Sequence, residues 1–158
     1  MSALPVEIRE AIAPRGRTLL ITVGNPMRAD DGVGPFVGER VVFKNPEHSV
    51  INAYTTPESV AQKAIDLKPD KIILLDAARF GGRPGELKII PLEEIGRHAV
   101  ISTHNFPLGV TFSIVRADTG AELAALGVEP GSMEFSEGLT PPVQETALSL
   151  VEYFNNIR

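Results

Sequence analysis

Thr18-Leu19-Leu20-Ile21-Thr22-Val23 runs directly into Gly24-Asn25-Pro26-Met27-Arg28-Ala29-Asp30-Asp31-Gly32-Val33-Gly34-Pro35. The first part is nearly all apolar and reads as a strand covered on both faces. The second is a glycine-bearing, acidic loop, and a loop at the carboxyl end of such a strand lies where open α/β sheets build their sites. Two later apolar runs end in the same way: Ile72-Ile73-Leu74-Leu75 leads into Asp76, and Val100-Ile101-Ser102-Thr103 leads into His104. The pattern predicts two carboxylates and an imidazole converging at one sheet edge.

The elements around these runs specify the layers. Gly34-Pro35 marks a helix start, with Phe36, Val37, Arg40 and Val41 forming one turn-spaced face. A second strand is predicted over Ser49 to Tyr54. Thr56-Pro57 then opens a helix whose buried stripe is Val60, Ala61, Ala64 and Ile65. The third strand is Lys71 to Leu75. The short stretch before Glu86 to Ile90 holds Gly81, Gly82, Pro84 and Gly85, leaving no room for a crossover helix, so the fourth strand is expected to be antiparallel and at an edge. A helix from Pro107 to Val115, a strand from Glu122 to Gly127, and a last helix from Thr140-Pro141 to about Asn155 complete the pattern. The fold class is α/β: a three-layer α/β/α sandwich on a twisted, mostly parallel five-stranded sheet with one antiparallel edge strand. One domain is expected over residues 1–158. Leu4, Ile8 and Ile12 recur at helical spacing, so residues 1–17 are expected to form a helical appendage on its outside.

Bulk properties narrow the function classes. A chain of 158 residues can bury a substantial core. The net charge of −5, with Lys and Arg scattered, argues against nucleic acid and against an anionic membrane surface. No stretch approaches the roughly 20 apolar residues of a membrane span, and the early residues Glu7 and Glu10 do not fit a signal peptide. A cytoplasmic monomer is expected. The absence of cysteine excludes disulfides and thiolate nucleophiles, so any metal must be held by oxygen and imidazole nitrogen.

Asp31, Asp76 and His104 form the candidate catalytic and metal-contacting set. Adjacent residues diverge in direction, so one of Asp30 and Asp31 is expected in the site, with the other holding the loop by accepting N–H bonds near the following helix start. Three nitrogen and oxygen ligands with open positions describe a catalytic or substrate-completed metal site, and nickel or zinc suits it. His48 and His98 sit in polar surroundings and read as solvated loop residues. A serine hydrolase lacks its G-x-S-x-G elbow, a pepsin-like dyad lacks its D-[ST]-G context, and nucleotide binding lacks both G-x-G-x-x-G and G-K-[ST].

At these residues the chain resembles the hydrogenase maturation proteases, the peptidases that trim the large subunit of [NiFe] hydrogenases, and is most similar to the hydrogenase 3-type branch. The resemblance is carried by Gly24-Asn25 with Asp30 to Pro35, by Leu75-Asp76-Ala77 with Gly82 to Glu86, by Thr103-His104-Asn105 with Pro107-Leu108, and by Gly138 to Pro141. It implies that Asp31, Asp76 and His104 contact the metal. It also implies an endopeptidase that removes a C-terminal extension from a large-subunit precursor after nickel insertion. Nickel would then be supplied by the substrate, with no tightly bound resident cofactor. The alternative is a non-hydrolytic maturation chaperone that inspects nickel with the same side chains. Two positions depart from the family pattern: Asn52-Ala53-Tyr54 stands where a paired glycine is common, and Ala29 replaces another glycine.

Overall fold

The computed structural model describes residues 3–95 and 108–158. Five strands, β1 (Thr18–Val23), β2 (Ser49–Tyr54), β3 (Lys71–Ala77), β4 (Leu87–Ile90) and β5 (Glu122–Val128), form one sheet in the order β2-β1-β3-β5-β4. The first three pairings are parallel, and β4 runs antiparallel to β5 at the edge. The expected α/β sandwich is therefore observed, including the reversed edge strand. The tight 79–86 connection returns the chain beside β5 without a helix.

The strand side chains alternate between two cores, as a strand's period of two requires. Leu20, Ile73, Leu75 and Leu126 face α1 (Val6–Ala11), α2 (Val33–Gly38) and α5 (Pro141–Asn156). Leu19, Ile21, Ile72 and Leu74 face α3 (Ala61–Asp66) and α4 (Leu108–Thr119). Every residue of β1 and β3 is buried, which explains why these strands read as mostly apolar runs. The expected strand at 100–103 and the residues around His104 and His98 lie outside the described residues.

Several expectations shift in detail. The helix expected after Thr56 begins as a 3-10 turn, Pro57–Val60, before α3. Helix α4 continues to Thr119, beyond the predicted Val115. Residues Leu4, Ile8 and Ile12, expected on an outlying appendage, are buried in the core shared with α2 and α5. The buried Lys71 ammonium donates to the Ala11 and Ala13 carbonyls at 2.7 and 2.6 Å and pairs with Glu122 at 3.0 Å, anchoring the end of this segment. His48, read as solvated, is buried instead: Nδ1 accepts the Thr18 N–H at 3.4 Å, and the ring meets Phe43 edge-on at 5.4 Å. Its polar sequence neighbours conceal an apolar contact made in three dimensions.

Helix α2 is short and lies with its backbone directly on β1, because Gly34 has no side chain. A Cβ there would collide with the Val23 carbonyl oxygen. Gly34→Ala should therefore lower stability by about 1–3 kcal/mol through overpacking. Urea unfolding measures this, and an unchanged midpoint would mean that α2 can lift away from the strand.

Candidate active site

The chain leaves β1 for β2 on one side and later returns to β3 on the other, so the strand order reverses between β1 and β3. At such a switch point the loops diverge and leave a crevice beyond the carboxyl ends of the strands. Asp31 follows β1, and Asp76 lies near the end of β3. Both carboxylates therefore lie at this crevice.

The loop after β1 is built to turn inward. Gly24 has φ +151° and donates its N–H to the Tyr54 carbonyl at 2.8 Å; a Cβ there would strike the Asp31 carbonyl. A 3-10 turn, Ala29–Gly32, follows. Asp31 is 1% exposed, and its Oδ2 accepts the Asn25 N–H at 3.1 Å, so the carboxylate closes the loop that carries it.

Asp30 diverges from it, as expected of adjacent residues. Its Oδ2 accepts the Gly131 and Ser132 N–H groups at 2.7 and 2.9 Å and the Thr140 hydroxyl at 2.7 Å, while Oδ1 accepts the Thr140 N–H at 2.7 Å. Its partners differ from the expected ones. They belong to the segment leading into α5, not to the start of α2, so Asp30 joins two loops distant in sequence.

Asp76 is 7% exposed, and neither carboxylate oxygen has a hydrogen-bond partner among the described residues. Burial pushes its carboxyl well above the ordinary carboxylate range, and the negative charge of Asp31 pushes the same way. The Ala77 backbone N–H opposes this without satisfying either oxygen by geometry. Two carboxylates therefore share a buried crevice, one held by its loop and the other lacking compensation within the described chain. The third member of the set, His104, lies outside the described residues. Among those residues, no three His, Cys, Asp or Glu side chains form a metal-sized group.

Sequence reading missed Glu129. It is buried just after β5, and its Oε1 accepts the Phe80 and Gly82 N–H groups at 2.9 Å each, holding the loop that follows Asp76. The signal was available: Glu129-Pro130-Gly131 is a third carboxylate at a strand end, followed by turn residues. The two glycine departures are also explained. Ala29 and Tyr54 both adopt left-handed backbone, at φ 50° and 51°, a conformation that glycine tolerates and these side chains disfavour.

Comparison with known proteins gives the family. A family model described as hydrogenase maturation protease matches residues 38–156. The hydrogenase 3 maturation protease of Escherichia coli K12 is 31% identical over 128 residues, spanning 80% of this chain and 81% of that protein. The chain belongs to the hydrogenase maturation protease family. The crystal structure of the [NiFe] hydrogenase maturation protease HycI from Thermococcus kodakarensis superposes with a TM-score of 0.81 at 32% identity, covering 93% of this chain and 95% of that one. The solution structure of the endopeptidase HycI from Escherichia coli gives 0.76 at 29% identity, over 87% and 88%. Membership makes the chain a peptidase, which sets aside the non-hydrolytic chaperone. The family-model match begins beyond the first loop, so the placing of Asp31 rests on the crevice itself.

The raised Asp76 pKa has a stability consequence. Between its unfolded and folded values the folded chain binds more protons than the unfolded one, so stability is full below about pH 4 and falls as pH rises through the folded value. Asp76→Asn should unfold at a higher temperature than the parent at neutral and alkaline pH, with the gap closing under acid. Thermal melts across a pH series test this, and a pH-independent gap would refute it.

The two neighbouring aspartates should separate in the same measurements. Asp30→Asn turns an amide nitrogen toward N–H donors in either orientation, which should cost about 1–3 kcal/mol. Asp31→Asn, which leaves the joint between the loops intact, should cost distinctly less.

Proposed function

We propose that this maturation protease removes the C-terminal extension of a [NiFe] hydrogenase large-subunit precursor once nickel is in place, working in the cytoplasm as a monomer. Asp31, Asp76 and His104 surround the nickel, which arrives with the substrate. The observation that carries this reading is the buried Asp76 carboxyl beside Asp31, with neither of its oxygens satisfied among the described residues.

Two buried carboxylates repel, and a divalent cation between them turns that repulsion into attraction. An oxygen-oxygen-nitrogen set suits nickel and leaves coordination positions for the precursor's own ligands. Burial and the charge of Asp31 make the ionised form of Asp76 costly, and a cation docked between the two carboxylates offsets that cost. A precursor without nickel offers nothing to offset the repulsion, which gives discrimination between loaded and empty substrate. Hydrolysis adds water across the scissile amide: a carbon–oxygen bond forms, the carbon–nitrogen bond breaks, and the amine leaves with a proton. Nickel assists by polarising the carbonyl or lowering the pKa of water, and the enzyme's side chains orient it for that role.

Mass spectrometry of nickel-loaded and nickel-free precursor after incubation tests the proposal. A single C-terminal fragment should be released from the loaded form only. Asp31→Asn, Asp76→Asn and His104→Ala should each reduce release by more than the roughly 10- to 100-fold typical of residues behind the metal-contacting shell. Asp30→Asn should retain much of the activity at temperatures where it is folded. Cleavage indifferent to nickel, or equal loss in both neighbouring variants at unchanged stability, would overturn the assignment.

A further inference from the structure

The loop that carries Asp31 is joined to a second loop, and the junction presents apolar side chains to solvent. Ala29 N–H donates to the Ser136 carbonyl at 2.7 Å, Ser136 N–H to the Met27 carbonyl at 3.0 Å, and Asp30 N–H to the Ser132 carbonyl at 3.0 Å. The Asp30 carboxylate adds its bonds to Gly131, Ser132 and Thr140. On this fastened ledge Phe135 is 82% exposed and Met27 53% exposed. The Arg28 guanidinium lies 5.0 Å from the Phe135 ring centre. Beside the ledge opens a cleft of about 140 Å³ lined by Pro26, Ala29, Phe36, Arg40 and Leu139, where the Arg40 guanidinium stacks 3.6 Å from the centre of the Phe36 ring.

A phenylalanine left in water has no folding role that requires its exposure, and a ledge with this many backbone bonds holds it in a fixed place. Aromatic and arginine side chains presented on a rigid frame are the usual anchors of protein recognition, because little conformational freedom is lost on contact. We infer that Phe135, Met27 and the adjoining cleft dock a segment of the protein substrate that presents an apolar side chain. The apolar group meets Phe135 and Met27, with the aromatic face of Phe36 lining the cleft beside them. The occupant assigned is the substrate because Met27 and Arg28 belong to the loop that carries Asp31, so a chain docked there rests on the same loop that enters the crevice. A second copy fits less well: two side chains and a small cleft fall short of the roughly 1,200–2,000 Å² of a stable dimer, and a dimer on this face would cover the approach to Asp31.

This inference rests on the proposed cleavage of the large-subunit precursor, and the experiment separates the two. Parent, Phe135→Ser and the double variant Phe135→Ser/Met27→Ser are compared on nickel-loaded precursor, with thermal melts and sedimentation alongside. KM should rise about tenfold in Phe135→Ser and further in the double variant, with kcat within about twofold and the melts unchanged. Parent-like KM in both variants, with the parent cleaving, would overturn the docking surface and leave the proposed reaction standing. If the parent neither binds nor cleaves the precursor, both fall. A parental dimer that Phe135→Ser dissolves would assign the patch to a second copy and overturn the inference as well.

Discussion

The Asp30 carboxylate accepts hydrogen bonds from Gly131, Ser132 and Thr140, residues far along the chain from the loop that holds it. Bonds to an ionised acceptor are among the stronger ones in proteins, and four on one buried group leave little freedom to either loop. The position of Asp31 follows from that restraint. A loop between a strand and a short helix would otherwise drift, and a carboxylate that drifts cannot stay in a crevice opposite Asp76. The division of labour between the neighbours is physical: Asp30 is saturated by donors, while Asp76 has none among the described residues.

Within the described chain, that shortage is an electrostatic cost held in the candidate site. An uncompensated buried carboxyl opposes the fold when ionised, and the unfavourable left-handed backbone at Ala29 and Tyr54 adds a second cost, of order 1–3 kcal/mol for each such residue. Compensation sits nearby. The Tyr54 hydroxyl donates to Glu39 at 2.9 Å, and its carbonyl accepts the Gly24 N–H. The same hydrogen bond fixes the turn after β1, so the departures from glycine are carried by contacts made across the mouth of the sheet.

Much of the architecture was legible because it depends on local pattern. Mostly apolar runs identified β1 and β3, and the glycine- and proline-filled link identified β4 as reversed. The convergence of Asp31 and Asp76 followed from their both lying at strand ends. What the pattern hid were contacts that one dimension does not carry. His48 looks solvated beside Glu47, yet it packs on Phe43 under the sheet's far end. Asp30 was expected to serve the helix directly after it, and only the fold brings the lead-in to α5 within reach. Glu129 obeys the same strand-end rule as Asp76, but its hold on the Phe80 and Gly82 N–H groups exists only in the folded chain.

The Lys71 ammonium closes on carbonyl oxygens of Ala11 and Ala13 and on Glu122. Carbonyls belong to every residue type, so this attachment makes no demand on which side chains occupy those two positions. Substitutions at Ala11 and Ala13 therefore leave the attachment itself in place, whereas loss of the lysine removes it. A segment attached in this manner shows no sign of its anchor in its own side chains and is nevertheless joined to the central strand of the sheet.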